Sequence, residues 1–291
     1  MSIVALCRND IEIVAKIINL LSVNQLSILN VQFMITVIIP ARMASSRYPG
    51  KPLERIMGLP MVEHVRRRAL MAAGVDMVAV ATCDVSIKNV VEAYGGIAVM
   101  TRDTHERCTD RVEEAMQRLP GDIVAMVQGD EPLLVPDAIT QVIQPLLDDS
   151  GLNVVNMLSP LESMEDYANP DIVKAVCDRC GNVIYLTRSP VPYFRKQEIV
   201  PVYRQTGIMA FRAGFLPQFS ALPETALENA ESIDMLRLIE HGICIRGVVA
   251  NYTTVGVDRP ADVAVVESLL QNNSVQRELF ERSLRMAEGV L

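Results

Sequence analysis

The sequence predicts an α/β fold: a mostly parallel β-sheet flanked by helices and continued by a β-rich lobe. Three observations predict it. From Met34 onward, short apolar runs alternate with segments of helical period, the pattern of strand–helix–strand crossovers. The first run, "ITVIIPA" at 35–41, is continuous and β-branched, as a strand buried on both faces requires. After Gly151 the helices thin out and strand-like runs follow one another, which adds a mixed β segment to the sheet.

The elements follow in order. A loop rich in Ser, Arg, Pro and Gly leaves the first strand, and Met61, Val62, Val65, Ala69 and Met71 then recur at helical spacing. "MVAVATCD" (77–84) reads as a strand, and "SIKNVVEAYGG" (86–96) as a helix closed by glycines. "IAVM" (97–100) is a short strand, and "TDRVEEAMQRL" (109–119) a helix with Thr109 as its cap. "DIVAMVQGDEPLL" (122–134) is a strand breaking into a loop, and "PDAITQVIQPLL" (136–147) begins with proline in the first helical turn. The runs at 153–161, 171–178, 182–193 and 203–215 read as the mixed β segment. A helix (230–242), a strand (243–250), a loop ending "VGVD" and helices from Pro260 complete the chain. Right-handed crossovers gather the loops at the carboxyl ends of parallel strands, where ligands bind. There is no internal repeat or low-complexity linker, so one compact domain is expected over 34–271, with a C-terminal helix in 272–291.

Composition narrows the classes. Half of the 291 residues are hydrophobic, while aromatics are 4% and Trp is absent, so Leu, Ile, Val and Met must build the core. A net charge of −8 gives no global attraction for nucleic acid or anionic membrane, so any phosphate-binding charge is local. Six cysteines scattered through a chain of this size fit a reducing, cytoplasmic setting. The lone CxxC of Cys177 and Cys180 has no second pair to complete a zinc site and reads as a hairpin turn. The first 33 residues hold an amphipathic helical pattern interrupted by Glu12 and Lys16, which fits neither a membrane span nor a signal peptide. They read as an extension upstream of a functional start at Met34, or as a helix packed on the surface or on a partner.

Three segments carry chemistry. The loop from Pro40 to Leu53 holds Arg42, Arg47 and Lys51 within ten residues of a core strand, with Gly50 and three prolines to shape it. Three cations so placed in an acidic chain fit a triphosphate better than a solvated basic loop. It is not a Walker loop, since GxxxxGK[ST] is absent. Gln128-Gly129-Asp130-Glu131-Pro132 ends another core strand, and Asp130 alone is weak evidence for a metal. Asp258, in Gly256-Val257-Asp258-Arg259-Pro260, taken alone reads as a helix cap. Taken with Asp130 it makes a two-carboxylate magnesium site, with the remaining ligands from phosphates. His64 and His241 read as structural, His105 as a neighbour of the nucleotide, and Met71, Met77 and Met126 as core filler.

The motifs "VIIPARMASSRYPGKPL", "VATCD", "TDR", "VQGDEPL", "RSPVPY", "GIMAFRAGF" and "GVDRPAD" occur here in the order and approximate spacing seen in 3-deoxy-manno-octulosonate (Kdo) cytidylyltransferases, a family that the chain resembles from Met34 to Leu270. The resemblance implies a Rossmann-like nucleotide-diphospho-sugar transferase fold and a homodimer whose β-rich lobe serves sugar binding and dimerisation. It implies CTP as donor, a sugar-acid acceptor, Mg²⁺ as cofactor and a cytoplasmic place in lipopolysaccharide or capsule biosynthesis. It implies that Ala41, Arg42, Ser45, Ser46, Arg47 and Lys51 cradle the nucleotide and that Thr109, Asp110 and Arg111 line its pocket. Arg42, Lys51 and Asp130 would be catalytic, Asp130 and Asp258 the metal ligands. Gln128, Arg188, Gln205, Met209, Asp234 and Met235 would face the acceptor.

Departures fall mainly on the acceptor side. Where the family reads "RHIGIYAYR", this chain has Gln205 for the histidine and Met209 for the tyrosine. "E-Q-L-R" has become Asp234-Met235-Leu236-Arg237, and "SGTDR" has become Arg107-Cys108-Thr109-Asp110-Arg111. Loss of polar groups at such positions shifts selectivity, so the expected acceptor is Kdo or a related octulosonic or nonulosonic acid. An inactive nucleotide-binding homologue is the alternative from another class, and the retained Lys51, Asp130 and Asp258 count against it. A sugar-phosphate acceptor is disfavoured by the "PARMASSRYPGKPL" loop. No side chain presents itself as a general base.

Overall fold

The strand Ile35–Ala41 (β1) is buried at every position and lies at the centre of one wall of the molecule. The computed structural model describes residues 32–286 except 46, 162, 197–200, 251, 253 and 254, so the helical pattern expected within 1–33 and the site residue Ser46 lie outside the described residues. Within the compact unit from Met34, the strands after β1 are Arg55–Ile56 (β2), Leu59–Pro60 (β3), Met77–Thr82 (β4), Ile97–Met100 (β5), Ile123–Val127 (β6), Val154–Pro160 (β7), Lys174–Cys177 (β8), Asn182–Thr187 (β9), Tyr203–Arg212 (β10) and Ile245–Val249 (β11). The helices are Met61–Ala69 (α1), Val85–Ala93 (α2), Cys108–Met116 (α3), Pro136–Asp148 (α4), Met164–Ala168 (α5), Leu216–Ala221 (α6), Ala226–Glu231 (α7), Met235–Glu240 (α8), Pro260–Asn272 (α9) and Ser274–Arg285 (α10).

Nine strands form one sheet in the order β5-β4-β1-β6-β10-β7-β11-β9-β8. The first four are mutually parallel, so the loops after Ala41, Thr82, Met100 and Val127 emerge at the same edge. Beyond β6 the sheet becomes mixed: β10 runs antiparallel to β6 and β7, while β7 and β11 are parallel. The amino-terminal end of β10 also pairs with β8, so β10, β7, β11, β9 and β8 close into a ring. This ring is the β-rich lobe that the sequence pattern predicts. The CxxC falls at its β8–β9 hairpin, where the Asp178 carboxylate accepts from the amides of Cys180 and Asn182 at 2.8 Å each.

Local rules explain several boundaries. The second helix ends in a Schellman motif, with Gly95 at φ 72° and the Gly96 amide donating to the Val91 carbonyl at 2.8 Å. Pro136 opens α4 as its first residue. The third helix, by contrast, starts at Cys108 with Arg107 in the capping position, so Thr109 is not the cap. Its hydroxyl donates instead to Asp234 at 2.9 Å, a tertiary bond that displaces the local capping rule. Among the described residues no helix is long and apolar enough to cross a membrane.

The C-terminal helix α10 is fastened to α1. Arg68, fully buried, donates to Gln276 Oε1 at 2.7 Å and to the Leu134 carbonyl at 3.0 Å. His64, also fully buried, stacks on Phe280 with ring centroids 5.3 Å apart, and its Nε2 bonds the Ile56 carbonyl at 2.8 Å. Burial, opposed only in part by that bond, lowers the His64 imidazole to about 4. The folded protein therefore binds fewer protons here than the unfolded chain, and the stabilisation, on the order of 3 kcal/mol, is present above pH 6.5 and lost progressively down to about pH 4. Thermal unfolding measured against pH checks this: the melting temperature of the wild type falls across that window, and His64→Gln, less stable at pH 7, shows a flatter profile.

Candidate active site

The loop after β1 is folded by its own main chain. Ser45 and Gly50 both donate to the Met43 carbonyl at 3.0 Å, Gly50 taking a left-handed φ of 79° that side chains disfavour. Met43 N is in turn held at 2.8 Å by the carboxylate of Asp84, at the end of β4. The turn Lys51–Leu53 then delivers Lys51 inward, its side chain 12% exposed.

Asp130 meets it from β6. A Cβ on Gly129 would lie 3.1 Å from the Pro40 carbonyl, so the ends of β1 and β6 approach closely where glycine leaves room. The segment carrying Asp258 is fixed to the same place, because Val257 N donates to the Asp130 carbonyl at 2.9 Å. The two carboxylates converge on one ammonium: Lys51 Nζ is 2.6 Å from Asp130 Oδ2 and 3.8 Å from Asp258 Oδ1. The charge chain continues outward through Arg47 to Asp258 at 2.8 Å and to Asp171 at 3.7 Å, and from Arg259 to Asp171 at 3.4 Å. Asp258 and Arg47 are each about half exposed, so their pairing is weak and ligands displace it at little cost. Asp258 does not cap the following helix; Asp262 does that work, accepting from the amides of Asp258 and Arg259 at 2.8 Å.

Two cavities meet at Asp130. One, of about 320 Å³, lies between the loop after β1 and the segment His105–Cys108. The other, of about 650 Å³, opens toward the ring, with Arg204–Gly207 on one wall and Asp258 and Arg259 on another. Asp130 lines both. Hard oxygen donors converging on one cation match the preferences of magnesium. Among the described residues no group of three or more His, Cys, Asp or Glu could hold a metal by itself, so a metal here would draw further ligands from phosphates and water.

Most residues expected at the nucleotide line the smaller cavity: Ala41, Arg42, Ser45, Arg47 and Lys51 from one side and Arg111 from the other; Gln128, expected at the acceptor, lines this cavity and not the larger one. Gln205 lines the larger one, its amide donating to Asn156 at 2.8 Å. Other expectations need correcting. Asp110 projects from the opposite face of α3, accepts from Ser220 at 3.3 Å and lines a separate pocket. Thr109 is buried against Asp234 rather than lining the nucleotide cavity, and burial raises the Asp234 carboxyl above its ordinary value. Met209 and Met235 are core residues, 5% and 0% exposed. β10 is irregular between Gln205 and Met209, and beyond that point Met209 pairs with Met126 of β6 and Asn156 of β7 and packs in the core with Phe211 and Met126. Arg188 does not line the acceptor cavity: its Nε donates to the Glu231 carbonyl at 2.8 Å and its Nη1 to the Pro170 carbonyl at 3.1 Å.

Sequence reasoning missed four contributors. Glu114 is a buried staple that receives Arg102 N at 3.1 Å, Arg118 at 3.3 Å and His105, fixing the segment that walls the smaller cavity. Burial would raise its carboxyl, but the bonds from His105 and Arg102 outweigh that and pull it down to about 2. Cys108 lines the same cavity with its thiol 3.4 Å from Gln128 Oε1, and burial raises it, so it is poorly nucleophilic. Glu131, 9% exposed, is pushed up to about 7 by burial and then by Asp130 beside it. Asp171 opens the run at 171–178 that reads as a strand, and nothing in its neighbours marks the ion pairs that it makes with Arg47 and Arg259.

A family model described as Cytidylyltransferase matches residues 36–245. The 3-deoxy-manno-octulosonate cytidylyltransferase of Pelobacter propionicus is 42% identical over 240 residues, covering 79% of this chain and 94% of that protein. The protein of the same name from Escherichia coli is 42% identical over 234 residues, covering 80% and 95%. Among solved structures, a CMP:2-keto-3-deoxy-manno-octonic acid synthetase complexed with CTP superposes with a TM-score of 0.78 at 41% identity, covering 82% of this chain and 98% of that one. A 4-diphosphocytidyl-2C-methyl-D-erythritol synthase from Anaerococcus prevotii shares the fold, with a TM-score of 0.57 at 14% identity.

Gly207 gives a direct test of how tightly the junction is built. A Cβ there would lie 2.5 Å from Gln128 Cγ. Gly207→Ala is expected to cost about 1–3 kcal/mol in urea unfolding through overpacking and, by moving Gln128, to lower kcat/KM about tenfold. A variant with wild-type stability and activity would refute the tight fit.

Proposed function

This chain belongs to the cytidylyltransferase family, and from that premise we propose that it transfers CMP from CTP to Kdo or a close analogue, releasing pyrophosphate with magnesium as cofactor. The observation that carries the reading is the meeting of Asp130 and Asp258 on Lys51, with Asp130 shared by a cationic cavity and an acceptor-sized one. Relatives at about 40% identity bear the Kdo cytidylyltransferase name, which supports the acceptor class.

The protein groups have distinct tasks. Lys51 leaves Asp130 for the phosphates, since a triphosphate offers its ammonium more charge than one carboxylate does. Arg42 and Arg47 neutralise the departing pyrophosphate from the outer rim. Asp130 and Asp258, once released from Lys51, would hold the magnesium ion. Magnesium, when bound, supplies charge that polarises the α-phosphate and the acceptor hydroxyl. Gln128 lines the smaller cavity and packs against Gly207, which lines the larger one; from there it orients the acceptor hydroxyl for in-line attack, and the gain comes from positioning and electrostatics. The bonds of the 102–107 segment to Glu114 keep the nucleotide wall from moving as charge develops.

Gln205 in place of the family's histidine, bonded to Asn156, supports a second acceptor reading: a modified octulosonic or nonulosonic acid. The homodimer and the cytoplasmic location belong to the same proposal; family resemblance supports the first, and the need for CTP the second.

Pyrophosphate release with CTP, Mg²⁺ and a panel of sugar acids tests the proposal. Release with Kdo or an analogue is expected; binding of CTP with no release for any acid would favour an inactive homologue. Asp130→Ala is expected to lower kcat about 10³-fold or more with an unchanged unfolding transition. Near-normal turnover in that variant would overturn the metal-ligand role.

A further inference from the structure

One side chain of the smaller cavity is held at every point but one. Gln128 follows β6 directly, and its main-chain N donates to the Gly207 carbonyl at 3.0 Å. Its stem runs against Gly207, where an added Cβ would lie 2.5 Å from Gln128 Cγ. At the tip, Oε1 accepts from the Cys108 thiol at 3.4 Å. Among the described residues no group accepts from Nε2, and Gln128 lines the cavity.

The thiol is itself fixed. Cys108 opens α3, and both of its neighbours are tied to the turn between α7 and α8. Arg107 Nη1 donates to Ser232 Oγ at 2.9 Å, and Thr109 Oγ1 to Asp234 Oδ2 at 2.9 Å. Burial keeps the thiol protonated; the bond to Gln128 and the charge of Arg42 oppose this, and the charges of Asp234 and Asp130 add to it. A protonated thiol donates and is only a weak acceptor. A glutamine amide has two ends of similar shape and opposite hydrogen-bonding sense. A donor beside it therefore selects the oxygen, and the amino end is left for the cavity.

We propose that Cys108 is a positioning residue that sets the polarity of Gln128. By engaging the amide oxygen it turns the NH₂ group to the cavity, so that Gln128 donates a hydrogen bond to the oxygen of the acceptor hydroxyl. This deepens the orienting role given to Gln128 above and rests on it. A donor there engages one lone pair of the attacking oxygen and leaves another free to face the α-phosphate. The opposite polarity would hold the hydroxyl by its hydrogen instead. The last torsion of a glutamine is broad and roughly two-fold when nothing holds its tip, so the thiol fixes a direction that the chain alone leaves open.

The test is a double-mutant cycle in steady-state kinetics of the full chain, with CTP, Mg²⁺ and the fastest sugar acid of the panel above. Gln128→Ala is expected to lower kcat about 30-fold. Cys108→Ala should lower it about fivefold, with the KM for CTP within about twofold of the wild type. In the Gln128→Ala background, Cys108→Ala should change kcat by less than about 1.5-fold, because the thiol acts through the amide. Cys108→Ser keeps a donor and should lie within about twofold of the wild type, whereas Cys108→Val keeps the bulk, loses the donor and should match the Ala variant. If thermal unfolding shows the Ala variant to be destabilised, the Ser and Val pair decides. The role is overturned by effects that multiply in the double variant, by a Ser variant as slow as the Val variant, or by a Val or Gln128→Ala variant as fast as the wild type. A wild type that releases no pyrophosphate with any sugar acid overturns the proposed function and this role with it, whereas an active wild type with multiplying effects overturns the role alone.

Discussion

The structure depends on one main-chain bond, from Val257 N to the carbonyl of Asp130. It joins the segment after β11 to the carboxyl end of β6, and with them the carboxylates of two residues remote in sequence. Without it Asp258 would belong to a loop on the outer edge of the lobe, and the ammonium of Lys51 would have one acid for a partner instead of two. The glycines around it serve the same end. Gly129 admits the Pro40 carbonyl, Gly256 lies against the Asp130 carbonyl, and Gly207 makes room for Gln128. At Gly129 and above all at Gly207 a side chain would crowd the two halves of the site.

That junction explains how an acidic protein handles a polyanion. The net charge of −8 would repel a triphosphate, yet the end of the sheet where CTP is proposed to bind carries Arg42, Arg47 and Lys51 on a loop stiffened by its own hydrogen bonds and by Asp84. The acids near these cations hold them in place and neutralise them until a ligand offers a better partner. The arrangement is pre-formed, so little ordering entropy is lost on binding.

Much of this was legible in the residues themselves. The β-branched run at 35–41, the proline- and glycine-shaped cationic loop and the acids after two strands sufficed to place the site at the carboxyl edge of a parallel sheet, since strand period and crossover handedness leave few alternatives. What the residues did not show was side-chain direction. Resemblance puts Met209 on the acceptor wall in place of a tyrosine, but it is paired between β6 and β7 beyond the irregularity at 206–208, and its side chain packs in the core. Thr109 reads as a cap by local rules, and the carboxylate of Asp234 outcompetes the helix end for its hydroxyl. Asp110 and Arg111 are adjacent in sequence but a helix sends neighbours to different faces, so only Arg111 reaches the cavity. Arg188 lies in a recognisable motif, yet carbonyls from distant segments claim its donors.

The double membership of β10 has a consequence for how such a protein diversifies. One half of the strand is bonded to β6 within the nucleotide-facing sheet, the other half to β8 within the closed ring, and the irregularity at Gly207 separates them. Substitutions on the ring side can reshape the pocket for a new acceptor while the half that supports the donor keeps its register. Preference among acceptors can thus drift at a handful of ring positions without disturbing the pairing of β10 with β6.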